Sequence, residues 1–445
     1  MLSIIGLVTI LIIVFLLISG KTSPIVGLVL VPIVGAFVAG FNFEQIGEFF
    51  TIGTQSVFSV ALMFIFAILF FGIMQDVGVF DPLINKMIAL TRGNVIAVAV
   101  GTVLIAAIAQ LDGSGASTFL ITIPPLLPLY KRLKMNPYLL LMLVGTSASI
   151  MNMLPWAGPL GRTAAVLNMD VTELWRPLIK VQIIGLVMLI ILAVLLGLRE
   201  KRRIAKNELN HEYSLITDDA SESLVNVDQS AESIAAKLLQ RPKLYWINVI
   251  LAISVIGILV WGVIPAGFAF MIGVSIALPI NFPKVQDQMA RIQAHAPAAI
   301  LMAAIILAAG SFLGILNGTD MLNSIAKDLV TILPAFIIPY LHIVIGVLGV
   351  PFDLILSTDA YYFALFPIVE QVVTGFGVSS LSAAYAMIIG NIIGTFVSPL
   401  SPALWLALGL AGLEMGRHIR YSFMMMWGFS IVLLAIAIAI GVIAL

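Results

Sequence analysis

Four polar stretches interrupt an otherwise apolar chain, and they hold the residues able to do chemistry. The first is Gln110-Leu111-Asp112-Gly113-Ser114-Gly115-Ala116-Ser117-Thr118, which packs an acid, two glycines and three hydroxyls into a short run. Gly145-Thr146-Ser147-Ala148-Ser149-Ile150-Met151-Asn152 follows and runs into Pro155-Trp156-Ala157-Gly158-Pro159. The third is Pro351-Phe352-Asp353 with Ser357-Thr358-Asp359; the fourth is Gly390-Asn391 with Thr395 and Ser398-Pro399-Leu400-Ser401-Pro402. Hydroxyls, side-chain amides and backbone groups freed by glycine and proline can grip a small polar solute without net charge. On that ground Gln110, Gly113, Ser114, Gly115, Ser117 and Thr118 are candidate substrate contacts, with Thr146, Ser149 and Asn152 from the second stretch. Ser357, Thr358, Asn391, Thr395, Ser398 and Ser401 complete the set from the second half. The three carboxylates have a different chemistry. Asp112, Asp353 and Asp359 can neutralise by taking up a proton, or ligate a hard cation such as Mg²⁺ or Ca²⁺ through oxygen. The alternative is a tip in interfacial water, paired with Arg or Lys. Arg162 is the only arginine within an apolar helix; it can hold a carboxylate with two parallel bonds or snorkel to the surface.

The elements that must carry these stretches follow from composition. Of 445 residues 61% are hydrophobic and 10% charged, with a mean hydropathy of +1.15. That balance predicts an all-α polytopic membrane protein. An ionised Asp at mid-membrane costs at least ~2.5–3.5 kcal/mol on insertion scales, so the tips must face water or ligand. The apolar runs flanking Gln110–Thr118, Val95–Ala109 and Phe119–Leu129, fall short of the ~20 residues a full crossing needs. They predict a re-entrant hairpin over 95–129, and the same reasoning predicts a second over 333–373. Prolines and glycines predict broken helices over 137–166 and 380–412. Full spans are expected at Leu2–Ser19 (a retained helix, not a cleaved signal), Pro24–Gly40, Ser56–Gln75, Val181–Leu198, Tyr245–Val263, Pro265–Ile280, Pro297–Leu316 and Phe423–Leu445.

This arrangement is one plan used twice: residues 1–198 and 244–445, joined by a hydrophilic linker over 199–243. Each half has five crossings and one hairpin, so the halves must run in opposite directions, as in many secondary transporters with a site at the repeat interface. Weak echoes agree: Asn42-Phe43 with Asn281-Phe282, Phe71-Gly72-Ile73 with Leu313-Gly314-Ile315, Ile84 and Lys86 with Ile325 and Lys327, Pro125 with Pro367. Most basic residues of the short loops fall on one side under this count, including Lys131-Arg132-Leu133-Lys134 and the cluster from Arg199 to Arg203. The positive-inside rule makes that side cytoplasmic, which puts the linker inside and both termini outside. The four histidines (His211, His295, His342, His418) are scattered, and there is no cysteine. No HExxH, P-loop or nucleotide fingerprint occurs, which leaves ATP-driven pumping and nucleic-acid partners unsupported. An intramembrane aspartyl protease using Asp112 and Asp353 fits the hydroxyl-rich tips poorly.

Phe66-Ala67-Ile68-Leu69-Phe70-Phe71-Gly72-Ile73-Met74 through Phe80-Asp81-Pro82 resembles the citrate–metal:proton symporter family. So do Leu111-Asp112-Gly113-Ser114-Gly115, Ile150-Met151-Asn152 with Pro155-Trp156, and Ser357-Thr358-Asp359-Ala360-Tyr361-Tyr362-Phe363. The resemblance implies proton symport of citrate complexed to a divalent cation, with no permanently bound cofactor. Through the wider ion-transporter superfamily it also implies a homodimer with elevator motion. Where other members carry a second acid after the tip Asp-Gly, this chain has Ser114, which bears on metal preference and proton number. Citrate is a trianion, and chelation of a divalent ion lowers the complex to one negative charge. A site of hydroxyls, amides and one or two carboxylates suits that ligand, with Asp112 and Asp359 carrying the proton or touching the metal and Asn152 and Asn391 helping to hold citrate. Another organic acid, such as gluconate or a dicarboxylate, moved with protons or sodium, is the alternative cargo.

Overall fold

The computed structural model describes residues 1–19, 22–82, 94–211, 238–261 and 264–444. Among them there are helices and turns and no strand. Six apolar segments are long enough to cross a membrane, among them Phe43–Asp76, Val171–Lys206 and Val285–Gly318, and shorter apolar helices lie between them. The chain is a multi-pass membrane protein by this measure. Its surface agrees: Ile183, Val187, Ile191 and Leu195, four residues apart, form an exposed apolar stripe that belongs against lipid.

The first elements are α1 (Leu2–Ser19), α2 (Pro24–Val38) and α3 (Phe43–Asp76). The third was expected from Ser56. It starts earlier because Asn42 caps it: the Asn42 side chain accepts from the Gln45 N–H at 2.9 Å and Gln45 Oε1 accepts from the Asn42 N–H at 3.1 Å. Then come α4 (Val95–Ala109), α5 (Gly115–Arg132), α6 (Pro137–Met151), α7 (Gly158–Leu167) and α8 (Val171–His211). The last of these was expected to stop at Leu198. Between Leu198 and His211 there is no glycine or proline to end it, so it continues as a charged helix into the linker. Linker residues 212–237 lie outside the described residues, as do Ile84, Lys86 and the basic residues Lys21 and Arg92.

The second half holds α9 (Tyr245–Trp261), α10 (Ala266–Asn281), α11 (Val285–Gly318), α12 (Met321–Ile332) and α13 (Leu341–Val347). A single turn, Gly349–Phe352, and a π-helical segment, Ala360–Leu365, lead into α14 (Phe366–Thr374). The chain closes with α15 (Ser380–Ile392), α16 (Pro402–Ala411) and α17 (Met415–Ala439).

Two long helices, α3 and α11, of 34 residues each, form the central contact. They run antiparallel. At one end Gly53 meets Gly310 and Gly314 so closely that a Cβ on Gly53 would lie 2.1 Å from the Gly310 carbonyl. At the other end Asp76 meets Arg291 and His295. Without a hydrophobic drive inside lipid, close backbone approach through small residues is what holds such helices together. Two helices are buried along almost their whole length, α6 from Leu139 to Ile150 and α15 from Ser382 to Ile392. Each is followed by a break in the α-helix, residues 152–157 after α6 and, after α15, a 3₁₀ turn over Ile393–Phe396 that runs on as irregular chain to Ser401.

Gly314→Val places a side chain where even a Cβ would lie 2.2 Å from the Phe49 carbonyl. Overpacking of this kind costs about 1–3 kcal/mol, so thermal unfolding in detergent is expected at a lower temperature. Gly409→Ala, at a position with open space around it, leaves the transition unchanged or slightly raised.

Candidate functional site

The first polar stretch forms the link between α4 and α5. Helix α4 gives way to a 3₁₀ turn, Gln110–Asp112, and then Gly113 takes φ 75°, the left-handed region that glycine adopts without strain. Ser114 caps α5, its hydroxyl accepting from the Ser117 N–H at 3.4 Å, while Asp112 Oδ1 accepts from the Ser114 N–H at 2.8 Å. Thus the turn uses Asp112 Oδ1 in the backbone while the carboxyl lies on the wall of the site.

Two contacts fix this turn to the break after α6. Gln110, fully buried, donates from Nε2 to Asn152 Oδ1 at 2.7 Å, and it accepts from the Thr118 hydroxyl. The Trp156 indole donates to the Leu111 carbonyl at 2.8 Å and stacks on Phe71 at 4.7 Å. A third contact ties α5 to the break after α15: Gly115 lies against the Phe396 ring, 2.6 Å from where its Cβ would be. Gln110, Thr118 and Asn152 are therefore a buried polar network. Thr146 and Thr395 spend their hydroxyls on the carbonyls of Met142 (2.7 Å) and Ile392 (2.8 Å) in their own turns. Ser149, in the last turn of α6, donates across to the Ile393 carbonyl at 3.3 Å, joining α6 to the break after α15.

The tip of the second half is arranged differently. Ser357 Oγ accepts from the Ala360 N–H at 3.2 Å at the start of the π-helical segment. Asp359, almost wholly buried, pairs with Arg162 of α7, Nε to Oδ1 2.7 Å. The Arg162 guanidinium also lies 6.0 Å from the Phe363 ring centre. Of the two options open to this arginine, the structure takes the carboxylate. Asp353 is 2% exposed; its carbonyl accepts from the Ser398 hydroxyl, but its Oδ2 has no hydrogen-bond partner. A Cβ on Gly394 would fall 2.2 Å from that oxygen, so glycine is what admits the carboxyl there. Asn391 donates to the Gly349 carbonyl at 3.2 Å. Ser401 leads into α16 without a side-chain cap, and Thr358 is half-buried.

A cavity of about 400 Å³ opens at the first tip, within the ~300–1,000 Å³ usual for small-molecule sites. Asp112, Gly113, Ser114, Gly115 and Ser117 line one wall. Gly72 and Gln75 of α3, Gly158 at the start of α7, and His295 of α11 line the rest with Trp156 and aliphatic side chains. The structure gathers the first tip around this space; Ser357, Thr358, Asp353 and Asp359 are not on its wall. Asp112 and Asp353 accordingly do not share one cavity, as a protease dyad must. His295 is the residue that sequence reasoning missed. It sits where the polar start of α11, Gln286 to Gln293, gives way to an apolar run, and its partner Asp76 is 219 positions away in the chain. Only the fold joins them.

A bundle of apolar helices around a small polar cavity defines the class: a polytopic membrane transporter. The comparisons name the family. A family model described as citrate transporter (CitMHS) matches residues 3–390, and the chain belongs to that family. Two relatives from Bacillus subtilis (strain 168), one named "Citrate transporter" and the other "Mg(2+)/citrate complex secondary transporter", are each 34% identical over the full length of both chains. These relatives are transporters and not enzymes. Among solved structures, the YdaH transporter of Alcanivorax borkumensis shares the fold, with a TM-score of 0.57 at 16% identity, covering 90% of this chain and 88% of its own.

Removing one partner of a buried ion pair strands the other charge, at a cost of about 3–5 kcal/mol. Arg162→Met is therefore expected to destabilise the detergent-solubilised protein by that order in chemical denaturation. Combining it with Asp359→Leu should restore most of the loss.

Proposed function

We propose that the protein imports citrate as a complex with a divalent cation, in symport with protons, by alternating access. The carrying observation is the cavity at the first tip. Its polar lining is one carboxylate, hydroxyls, glycine backbone, Gln75 and His295, with no lysine or arginine among the described lining residues. A free trianion would require several cations; a metal chelate with a single negative charge does not. The printed name of one full-length relative, a secondary transporter of the Mg²⁺–citrate complex, supports the same cargo. Asp112 is read as the group that carries the proton or touches the cargo's metal, with Asp359 and Asp353 as the further proton-coupling candidates.

The alternating mechanism rests on two inverted repeats, 1–198 and 244–445. Supporting this is the equal length of α3 and α11, in which Phe43 corresponds to Val285 and Asp76 to Gly318. At the same offset Gly72 corresponds to Gly314 and Gly53 to His295. The contacts obey the exchange: Gly72 packs on His295, and Gly314 on Gly53. The hairpins (95–129, 333–373) and broken helices (137–166, 380–412) are read as an elevator-type transport unit, and the remaining spans as scaffold and homodimer contact. The linker 199–243 is assigned to the cytoplasm and the termini to the outside.

Uptake of labelled citrate into vesicles is expected to need a divalent cation and to collapse with a protonophore. Asp112→Asn should insert normally and lose proton-coupled uptake. Uptake that requires Na⁺ and ignores divalent ions would refute the reading.

A further inference from the structure

His295 faces the same cavity as Asp112, Ser114 and Ser117, from the opposite helix system. Its Nε2 lies 2.8 Å from Asp76 Oδ2, and Arg291 Nη1 approaches the same oxygen at 3.4 Å. A guanidinium has donors only, so that oxygen acts as acceptor, and Nε2 is the donating nitrogen of the ring. In a neutral imidazole this leaves the lone pair on Nδ1. No hydrogen bond occupies Nδ1 among the described residues. The Nδ1 edge lies against Gly72, itself a cavity residue, where a Cβ would come within 2.5 Å of that nitrogen.

Helix packing does not require a histidine here. In the register of the repeats, His295 corresponds to Gly53, Arg291 to Phe49 and Asp76 to Gly318. That second crossing is closed by van der Waals contact: a Cβ on Gly318 would lie 2.2 Å from the Phe49 ring and one on Gly314 2.8 Å from the Gly53 Cα. The same two helices are thus joined at one end with no polar group and at the other with three. The polar end faces the cavity. A carboxylate that receives one ring N–H and leaves the other nitrogen free is the usual support of a metal-binding histidine.

We propose that His295 Nδ1 is a ligand for the divalent ion within the cargo, with Asp76 and Arg291 holding the ring in place. The proposal rests on the metal–citrate reading above. Citrate supplies most of the ion's ligands as oxygens, so one protein nitrogen is enough; no cluster of three acidic, histidine or cysteine residues is present among the described residues, and none is needed. Imidazole suits Ni²⁺, Co²⁺ and Zn²⁺, whereas Mg²⁺ and Ca²⁺ favour oxygen. His295 is therefore the cavity side chain suited to contact a borderline ion directly.

The test is citrate uptake into proteoliposomes with Mg²⁺, Ni²⁺ or Co²⁺, for the unmodified protein, His295→Gln and Asp76→Asn. Both variants should raise KM for the Ni²⁺ and Co²⁺ complexes by about tenfold or more, and by several-fold more than they raise that for Mg²⁺–citrate. An equal rise for all three ions, or a fall in kcat alone, would overturn the assignment and make His295 a packing residue. A second readout needs no variant: the visible absorption of Co²⁺–citrate should change on binding to the unmodified protein as nitrogen enters the coordination shell, and an unchanged spectrum overturns the proposal. Unmodified protein that moves Mg²⁺–citrate but neither other complex overturns this inference and leaves the transport reading standing. Failure to move any metal–citrate complex overturns both.

Discussion

In hydrocarbon, no water is at hand to satisfy a backbone group freed from its helix, so every break in a span must be closed by a neighbour. The breaks after α6 and α15 obey this constraint, and much of the central packing follows from it. Ser149 bonds to the Ile393 carbonyl, Ser398 to the Asp353 carbonyl, and Asn391 to the Gly349 carbonyl. Trp156 covers the Leu111 carbonyl. Each of these ties a break, or the helix end beside it, to a tip or to the other half's break. The polar residues that make a site possible are thus also what lets the chain be irregular at that depth.

The glycines serve the same end from the other direction. Gly349 and Gly390 sit so close that a Cβ on Gly349 would lie 2.4 Å from the Gly390 carbonyl carbon, and Gly394 leaves room for the Asp353 carboxyl. Gly53, Gly310 and Gly314 let α3 and α11 touch along their backbones. A framework joined by such contacts is stiff at one end of the crossing. At the other end, Asp76, Arg291 and His295 replace close packing with charge and hydrogen bonds, next to the cavity.

The two tips, similar in composition, come to different chemical states. Asp112 bonds its own turn and looks into open space, whereas Asp359 is consumed by Arg162 and Asp353 is buried with an unpaired oxygen. An acid facing a cavity can meet cargo directly. An acid locked to an arginine acts only if that pair opens, which links any role for Asp359 to movement of α7 against the π-helical segment.

By itself the sequence determined that the chain lies in a membrane as helices, because only apolar helices can carry so little charge. It also determined where those helices are interrupted, because proline, glycine and clustered hydroxyls break the backbone ladder at fixed positions. The resemblance of its motifs named the family that the match over residues 3–390 then gave. Helix ends were less legible: α3 begins at an Asn42 cap and α8 runs on to His211, since local caps and breakers, not hydropathy, set the limits. What only the tertiary structure decided are the partners. Arg162 chose Asp359 across 197 positions and His295 chose Asp76 across 219. Such pairings depend on which helix faces which, and a contact between distant segments leaves no mark on the local spacing of either one.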